Sequence, residues 1–340
     1  VSGYVTTAAF ASVFVLLPIF SNLREATMSI LWSESYFSTI VALGLMRREI
    51  FWDYVHRMQC LVQTMGGNEK ALSVCTAWYV LQDGPKWARV MRRNVIWSSG
   101  ALLCVATMII VSMWLRVLVT GRPLCPTWPL YAYPWAVRLE MILTGVFIMV
   151  PVCTVGFLVA ALSFLSCSAA GLHHALAHQL HERARERGAP GDAMDVIRMH
   201  QRVRGLTLEF TEFFAGSMVQ LMAGPIGNSL LATLQVLAND IDENTFSQIF
   251  VVIVTLLQVS YLSQELIDSS LALKQAAYTT AASARSPREA RDLVMLIMVT
   301  ARPPALSTKG LGRLSLPMAG KVIREFYSAV NVLGPRYSSA

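Results

Sequence analysis

The chain has 340 residues, of which 54% are hydrophobic and only 14% charged, and its formal net charge is +7 at pH 7. Soluble domains usually contain about a quarter charged residues. Here the apolar residues fall in blocks of about 20, the length that a helix needs to cross roughly 30 Å of hydrocarbon. Composition and block length therefore exclude an ordinary soluble domain and predict an integral membrane protein.

Seven apolar blocks predict a polytopic membrane protein with seven transmembrane helices, built as a single domain over residues 1–340. The fold class is all-α, because the blocks are too long for barrel strands and do not alternate. In chain order, the predicted spans are 2–20, 25–46, 95–118, 138–165, 213–237, 246–268 and 314–333. Because Val1 lies almost at the start of the first span, we expect an N-terminal tail to be missing.

The connections that flank spans four to six are predicted to be helical. Residues 172–187 continue span four without a helix breaker until Gly188-Ala189-Pro190-Gly191, and a second helix starts at Asp192 and leads into span five. We therefore expect these spans to extend beyond the bilayer and pack together, with about 166–212 and 269–313 forming a helical anchor. Near the end of the chain, Gly334-Pro335 is predicted to end span seven.

The positions of Lys and Arg predict the orientation of the chain in the membrane. The loops 47–94, 166–212 and 269–313 carry 21 of the 28 Lys and Arg residues, whereas the opposite side carries five. Cytoplasmic loops are enriched in these residues, so the anchor and the N-terminus are predicted to be cytoplasmic and the C-terminus extracellular. The basic charge is spread over three loops rather than one soluble patch, so we expect no nucleic-acid partner.

The sequence contains no constellation that predicts catalysis or a cofactor. His174, His178 and His181 lie on one helical face at a spacing that can bind zinc, but no fourth ligand is close in sequence. We interpret them as a polar packing face and predict no metal site. No phosphate-binding glycine motif occurs, and the serines near the end of span four lack a placed base. We therefore expect no enzyme activity and no cofactor.

From about residue 260 the order of residues becomes specific. It contains, in chain order, Asp268-Ser269-Ser270, Ala276-Ala277-Tyr278, Arg302-Pro303, Leu314-Ser315-Leu316 and Phe326-Tyr327-Ser328. This order resembles the C-terminal region of insect odorant receptors. Asn22-Leu23, Glu25-Ala26 and His200 are also similar to that family. The family's obligate co-receptor has a longer second cytoplasmic loop, so the resemblance is to a tuning, ligand-recognising receptor.

The resemblance implies a subunit of a ligand-gated, non-selective cation channel that detects small volatile odorants. It implies a heterotetramer with the co-receptor, in the lipid of the plasma membrane of olfactory sensory neurons. The pore would lie along the outer half of span seven, with Val332 at an apolar gate and Asn331 and Leu333 beside it. An alternative is that Val332 packs against lipid or other helices. Lys321 and Arg324 would lie in the protein-packed inner half of this span, or snorkel to the interface.

The resemblance also places an odorant pocket among the outer halves of spans two, three, four and six. Aromatic and methionine side chains there suit a volatile ligand through shape and dispersion, although each could equally serve ordinary helix packing. Glu34, an acid within a span, could bind an amine or line a vestibule, or form a hydrogen bond between helices. The candidate pocket residues are Trp32, Ser35, Tyr36, Met113, Trp114, Met141, Gly145, Phe147, Phe246 and Phe250.

Two other functions are compatible with seven spans, a metabotropic chemoreceptor and a membrane transporter. A metabotropic receptor of the G-protein-coupled type predicts an extracellular N-terminus, opposite to the orientation inferred here. A transporter predicts internal repeats or charge pairs within the membrane, and the sequence has no internal repeat. Channel function is therefore the favoured interpretation.

Overall fold

The computed structural model describes 44–45, 48–66, scattered positions between 93 and 119, 134–185, 193–237, 243–284, 286–308 and 312–337. The predicted all-α class is confirmed for this part of the chain, apart from one antiparallel hairpin of two-residue strands. The elements are α1 (Glu49–Gly66), α2 (Pro134–Arg185), α3 (Ala193–Leu237), α4 (Glu243–Ala281), α5 (Pro287–Thr300), β1 (Ser307–Thr308), β2 (Gly312–Arg313) and α6 (Leu316–Tyr337).

Helices α2, α3 and α4 are longer than a bilayer core requires. They contain 52, 45 and 39 residues, whereas about 20 residues cross the hydrocarbon. Helix α2 ends at Arg185, just before the Gly188-Ala189-Pro190-Gly191 sequence, and α3 begins at Ala193, just after it. Within the described residues, Leu158–Glu182 is long and apolar enough to cross a membrane, and 83% of that window is buried in the protein.

The larger apolar core joins α1, α2, α3 and α4 with the start of α6. Its fully buried side chains include Phe51 of α1, Leu172 of α2, Phe214 of α3 and Leu262 of α4. Burial of a side chain of this size contributes about 1.5–3 kcal/mol. The ring of Phe51 meets the edge of Phe214 at 6.3 Å between centroids, so an aromatic contact joins α1 to α3.

A second apolar core holds α5 against α2 and α4. Leu293 and Leu296 of α5 are buried against Leu180 of α2 and Leu273 of α4. The start of α5 is fixed locally, because the Ser286 side chain accepts a hydrogen bond from the Glu289 amide and a proline occupies the first turn. This capped helix therefore lies at the ends of α2 and α4 where both helices terminate.

The structure corrects the predicted end of the last helix. Helix α6 continues through Gly334-Pro335 to Tyr337, so the expectation that these residues break it is wrong. A proline removes one hydrogen bond to the preceding turn and crowds it. Near a helix end the lost hydrogen bond and the crowding disturb only the turn before the proline, so the helix can extend a few residues further.

The second core makes a prediction for stability. Leu293→Ala should lower the free energy of unfolding by about 2–5 kcal/mol, because it removes buried methyl groups and leaves a cavity. Thermal denaturation of the purified protein in detergent measures this change. The matched control is Arg291→Ala on the exposed side of the same helix, expected to change stability by less than about 0.5 kcal/mol. Equal effects of the two variants would contradict the assigned packing of α5.

Candidate functional site

Helix α6 contains the predicted gate and has two different faces. Ala319 and Val322 pack against the larger core, whereas Leu316, Ile323 and Tyr327 are exposed, Tyr327 by 65%. Only a narrow stripe of α6 therefore packs against the rest of the described chain. Exposed apolar patches of this kind mark surfaces that contact membrane or protein. The exposed face of α6 is therefore available to lipid or to another subunit.

The predicted gate residues lie in the last third of α6. Asn331 is exposed, and Val332 and Leu333 are in the same continuous helix, although their side chains lie outside the described part. Lys321 and Arg324 are both exposed, so they are not packed against the rest of this chain. The Lys321 ammonium lies 3.7 Å from the Glu325 carboxylate, and both side chains are exposed, so this pair contributes less than about 1 kcal/mol.

The connection into α6 explains part of the motif at Leu314-Ser315-Leu316. Leu314 is buried, and its amide donates a hydrogen bond to the Leu306 carbonyl at 2.9 Å. The Ser315 side chain accepts a hydrogen bond from the Met318 amide at 3.4 Å and so caps α6. Gly312 has φ +76°, which a residue with a side chain rarely adopts. The motif therefore anchors and starts the helix.

A buried hydroxyl links this connection to α4, in addition to apolar packing. Ser263 accepts a hydrogen bond from the Leu306 amide at 3.0 Å, and its Oγ lies 3.5 Å from the Leu306 carbonyl oxygen, to which it donates. Both residues are fully buried. The sequence analysis did not identify Ser263, because a contact between residues 43 positions apart has no local signal.

The contacts between α2 and α4 establish that these helices run in the same direction. The Thr280 hydroxyl donates to the Leu180 carbonyl at 3.1 Å, and earlier in both helices His174 Nε2 lies 3.9 Å from Glu265 Oε1. The first halves of α2 and α4 are therefore at the same end, remote from α5.

Five of the ten candidate pocket residues lie in those first halves, where the structure describes their backbone but not their side chains. The other five lie outside the described residues. On α2 the candidates are Met141, Gly145 and Phe147, and on α4 they are Phe246 and Phe250. The candidates outside the described residues are Trp32, Ser35, Tyr36, Met113 and Trp114, and Glu34 also lies there.

The three histidines on one face of α2 do not converge on a common site. His174 faces Glu265 of α4, whereas His178 Nδ1 lies 3.4 Å from Glu182 on its own helix. His181 is exposed. Within the described residues, no group of three or more His, Cys, Asp or Glu side chains could hold a metal ion. His174 therefore lies at the contact of α2 with α4, whereas His178 and His181 lie on an exposed part of α2.

Two buried imidazoles between α2 and α3 were not predicted as a pair. The rings of His173 and His200 are 5.5 Å apart, both are buried, and none of their nitrogens has a well-formed hydrogen bond to a described residue. Burial, followed by the repulsion of His200, lowers the pKa of His173 to about 3. Burial and nearby Arg204 lower the pKa of His200 to about 4. Both rings are therefore neutral at physiological pH.

This pair predicts sensitivity to acid. The unfolded chain takes up protons below about pH 6.5 whereas the folded chain does not. The pair therefore destabilises the fold increasingly as pH falls, down to about pH 4 for His200 and about pH 3 for His173. The expected cost at about pH 5.5 is about 1 kcal/mol for each ring. His173→Phe keeps a buried ring and should weaken this pH dependence without lowering stability at neutral pH. Thermal denaturation at both pH values tests it, and an unchanged pH dependence would exclude this role for His173.

An ion pair and an aromatic cluster both join α1 to α3. Arg57 lies 2.9 Å from Asp53 on its own helix and 2.8 Å from Glu209 of α3. The Arg57 guanidinium also lies over the Tyr54 ring, and Tyr54 meets Phe213 at 5.5 Å. The sequence analysis used Arg57 only as a topological charge, because its partner on another helix could not be identified.

The aromatic cluster should dominate the stability of this junction. The Arg57 and Glu209 side chains are 42% and 49% exposed, so a double-mutant cycle with Arg57→Ala and Glu209→Ala should give a coupling below about 1 kcal/mol. Phe214→Ala should cost about 3–5 kcal/mol, because it empties a fully buried site. Denaturation measurements on the four variants decide this, and a coupling energy larger than the Phe214 effect would reverse the ranking.

Comparison with known proteins identifies one family and one fold. A sequence profile of the family described as 7tm Odorant receptor matches residues 31–327. The insect olfactory receptor OR5 from Machilis hrabei has a similar structure, with a TM-score of 0.66 and 10% identity over 98% of this chain and 86% of that chain. In its complex with eugenol, OR5 gives a TM-score of 0.67 and 12% identity over 97% and 87%. No curated relative matches the sequence. The predicted class, a membrane protein of seven helices, is confirmed by the family and the shared fold.

Proposed function

Since the chain belongs to the odorant receptor family of seven-transmembrane proteins, as its C-terminal motifs indicated, we propose that it is a tuning receptor for small volatile molecules. In this proposal it is a subunit of a ligand-gated, non-selective cation channel and has no enzyme activity. The family match over residues 31–327 is the observation that carries the proposal. OR5, which shares the fold, forms a complex with eugenol, and a small organic odorant is the ligand class proposed here.

We propose that the ends of α2 and α4 near α5 form a cytoplasmic anchor. Basic residues at this end support that orientation, among them Arg198 and Arg202 of α3 and Arg288 and Arg291 of α5, all exposed. The N-terminus would then be cytoplasmic and the C-terminus extracellular. The seven spans and the anchor would have the bounds predicted from the sequence, except that the last helix runs on to Tyr337. The receptor would reside in the plasma membrane of olfactory sensory neurons.

The exposed side of α5 supports assembly with another subunit. Val294, Met295, Met298 and Val299 form an apolar face of which Met298 is 62% exposed. A cytoplasmic helix that faced only water would place polar residues there. We propose that the family co-receptor covers this face in a heterotetramer, with lipid around the spans.

The pocket and the gate would then occupy the half of the molecule remote from α5. The candidate residues on the first halves of α2 and α4, with those predicted on spans two and three, would surround the odorant. Val332 would form the apolar constriction, with Asn331 and Leu333 beside it. A narrow apolar ring excludes water and ions, and a small widening restores hydration. The odorant can open it only by binding the open state more tightly than the closed state.

Recordings from cells that express this chain with the co-receptor test the function. A panel of volatile alcohols, esters and phenols, including eugenol, should contain compounds that evoke a cation current insensitive to G-protein inhibitors. Val332→Ala should increase the current without odorant, because it widens the apolar ring, whereas Ile323→Ala nearer the start of α6 should not. A response abolished by the inhibitors would favour the metabotropic alternative and refute the channel.

A further inference from the structure

The hydroxyl of Ser263 lies where two segments of different function meet. Ser263 is on α4, whose first half carries the candidate pocket residues Phe246 and Phe250. Its partner Leu306 lies in the connection that leads into α6, the helix of the predicted gate. Both residues are fully buried, so this hydrogen-bonded contact forms away from solvent.

The Ser263 hydroxyl forms hydrogen bonds with both backbone polar groups of Leu306, its amide and its carbonyl. The Leu306 amide donates to Ser263 at 3.0 Å, and the hydroxyl donates to the Leu306 carbonyl at 3.5 Å. A buried amide without an acceptor is unfavourable by the full loss of its hydration. Removal of this hydroxyl therefore leaves the Leu306 amide without its described acceptor.

From Leu306 the connection to α6 is short. The Leu306 carbonyl also accepts from the Leu314 amide at 2.9 Å, which closes the hairpin, and Ser315 then caps α6. Leu306 and Leu314 are both buried in the larger core, together with Leu262 and Leu266 of α4. The hydrogen bonds of Leu306 with Ser263 and Leu314, together with this apolar packing, therefore connect α4 to the residues that lead into α6.

We infer that Ser263 is a positioning residue that ties the start of the gate helix α6 to α4, so that the two helices move together. The tie itself follows from the contacts of Ser263. Its consequence for gating, in which odorant-driven movement of α4 shifts α6, rests on the proposed channel function. The coupled groups are in direct hydrogen-bonded contact, which provides a physical path for this coupling.

Ser260 provides a matched control on the same helix. It is also fully buried on α4, three residues before Ser263, and its hydroxyl has no hydrogen-bond partner among the described residues. Ser260→Ala removes the same atom as Ser263→Ala without removing the tie. Ser263→Cys is a second variant that keeps nearly the side-chain size but offers only a weak hydrogen-bonding group.

Hydrogen exchange on the purified complex with the co-receptor tests the tie without any odorant. In Ser263→Ala the Leu306 amide should exchange about tenfold faster, the factor expected for loss of one hydrogen bond. Exchange in the first turn of α6 should also rise, and α5 should not change. Ser263→Cys should follow Ser263→Ala, and Ser260→Ala should match the wild type. Equal exchange of Leu306 in the Ser263→Ala and Ser260→Ala variants would overturn the tie.

Recordings with the same odorant panel test the consequence for gating. At equal surface expression, Ser263→Ala should reduce the maximal odorant-evoked current several-fold, with a smaller change in the half-maximal concentration, because the tie acts after binding. A normal maximal current in a variant with fast Leu306 exchange would overturn the gating role while leaving the channel proposal intact. If the wild type carries no current, the channel proposal and the gating role fail together, and hydrogen exchange alone then decides the tie.

Discussion

The close packing of α2 against α4 is the contact on which the other elements depend. Ser166, Ala169 and Ala170 of α2 and Ser260 and Ala277 of α4 are buried, and small side chains let helix backbones approach closely. Helix α5 covers the ends of this pair, α3 packs against both members, and the connection to α6 is attached to α4. If α2 and α4 separated, neither apolar core would be complete, because each core contains residues from both helices.

The same interior contains buried polar atoms that make folding less favourable. Hydroxyls of Ser166, Ser168 and Ser270 are buried without a hydrogen-bond partner among the described residues, and the rings of His173 and His200 have no well-formed hydrogen bond there. Such groups each disfavour folding by about 1–3 kcal/mol. The large apolar side chains of the same cores, each contributing about 1.5–3 kcal/mol, compensate for them. Ser263 differs from these serines because its hydroxyl is paired, which makes it a specific contact rather than a tolerated polar group.

The sequence predicted what depends on local pattern and missed what depends on tertiary partners. The helical class follows from block length, and the predicted break at Gly188-Ala189-Pro190-Gly191 falls between Arg185, where α2 ends, and Ala193, where α3 begins. The family followed from ordered motifs near the C-terminus. The prediction that Gly334-Pro335 ends the last helix was wrong, since a proline in the last turns disrupts only the turn before it. The contacts of His173, Arg57 and Ser263 were beyond prediction, because their partners are 27, 152 and 43 residues away.

The described helices differ in how extensively they are packed. The junction of α1 with α3 is broad, with aromatic rings such as Phe51 and Phe214 interlocked at its centre, so it resists displacement. The attachment of α6 is narrow by comparison, since Ala319 and Val322 are its contacts with the larger core and most of its other described side chains are exposed. Helix α6 is therefore attached to the rest of the described chain mainly near its start, where Ser263 ties the preceding connection to α4. In the proposed mechanism the position of α6 follows that of α4, while the broad junction of α1 with α3 stays in place.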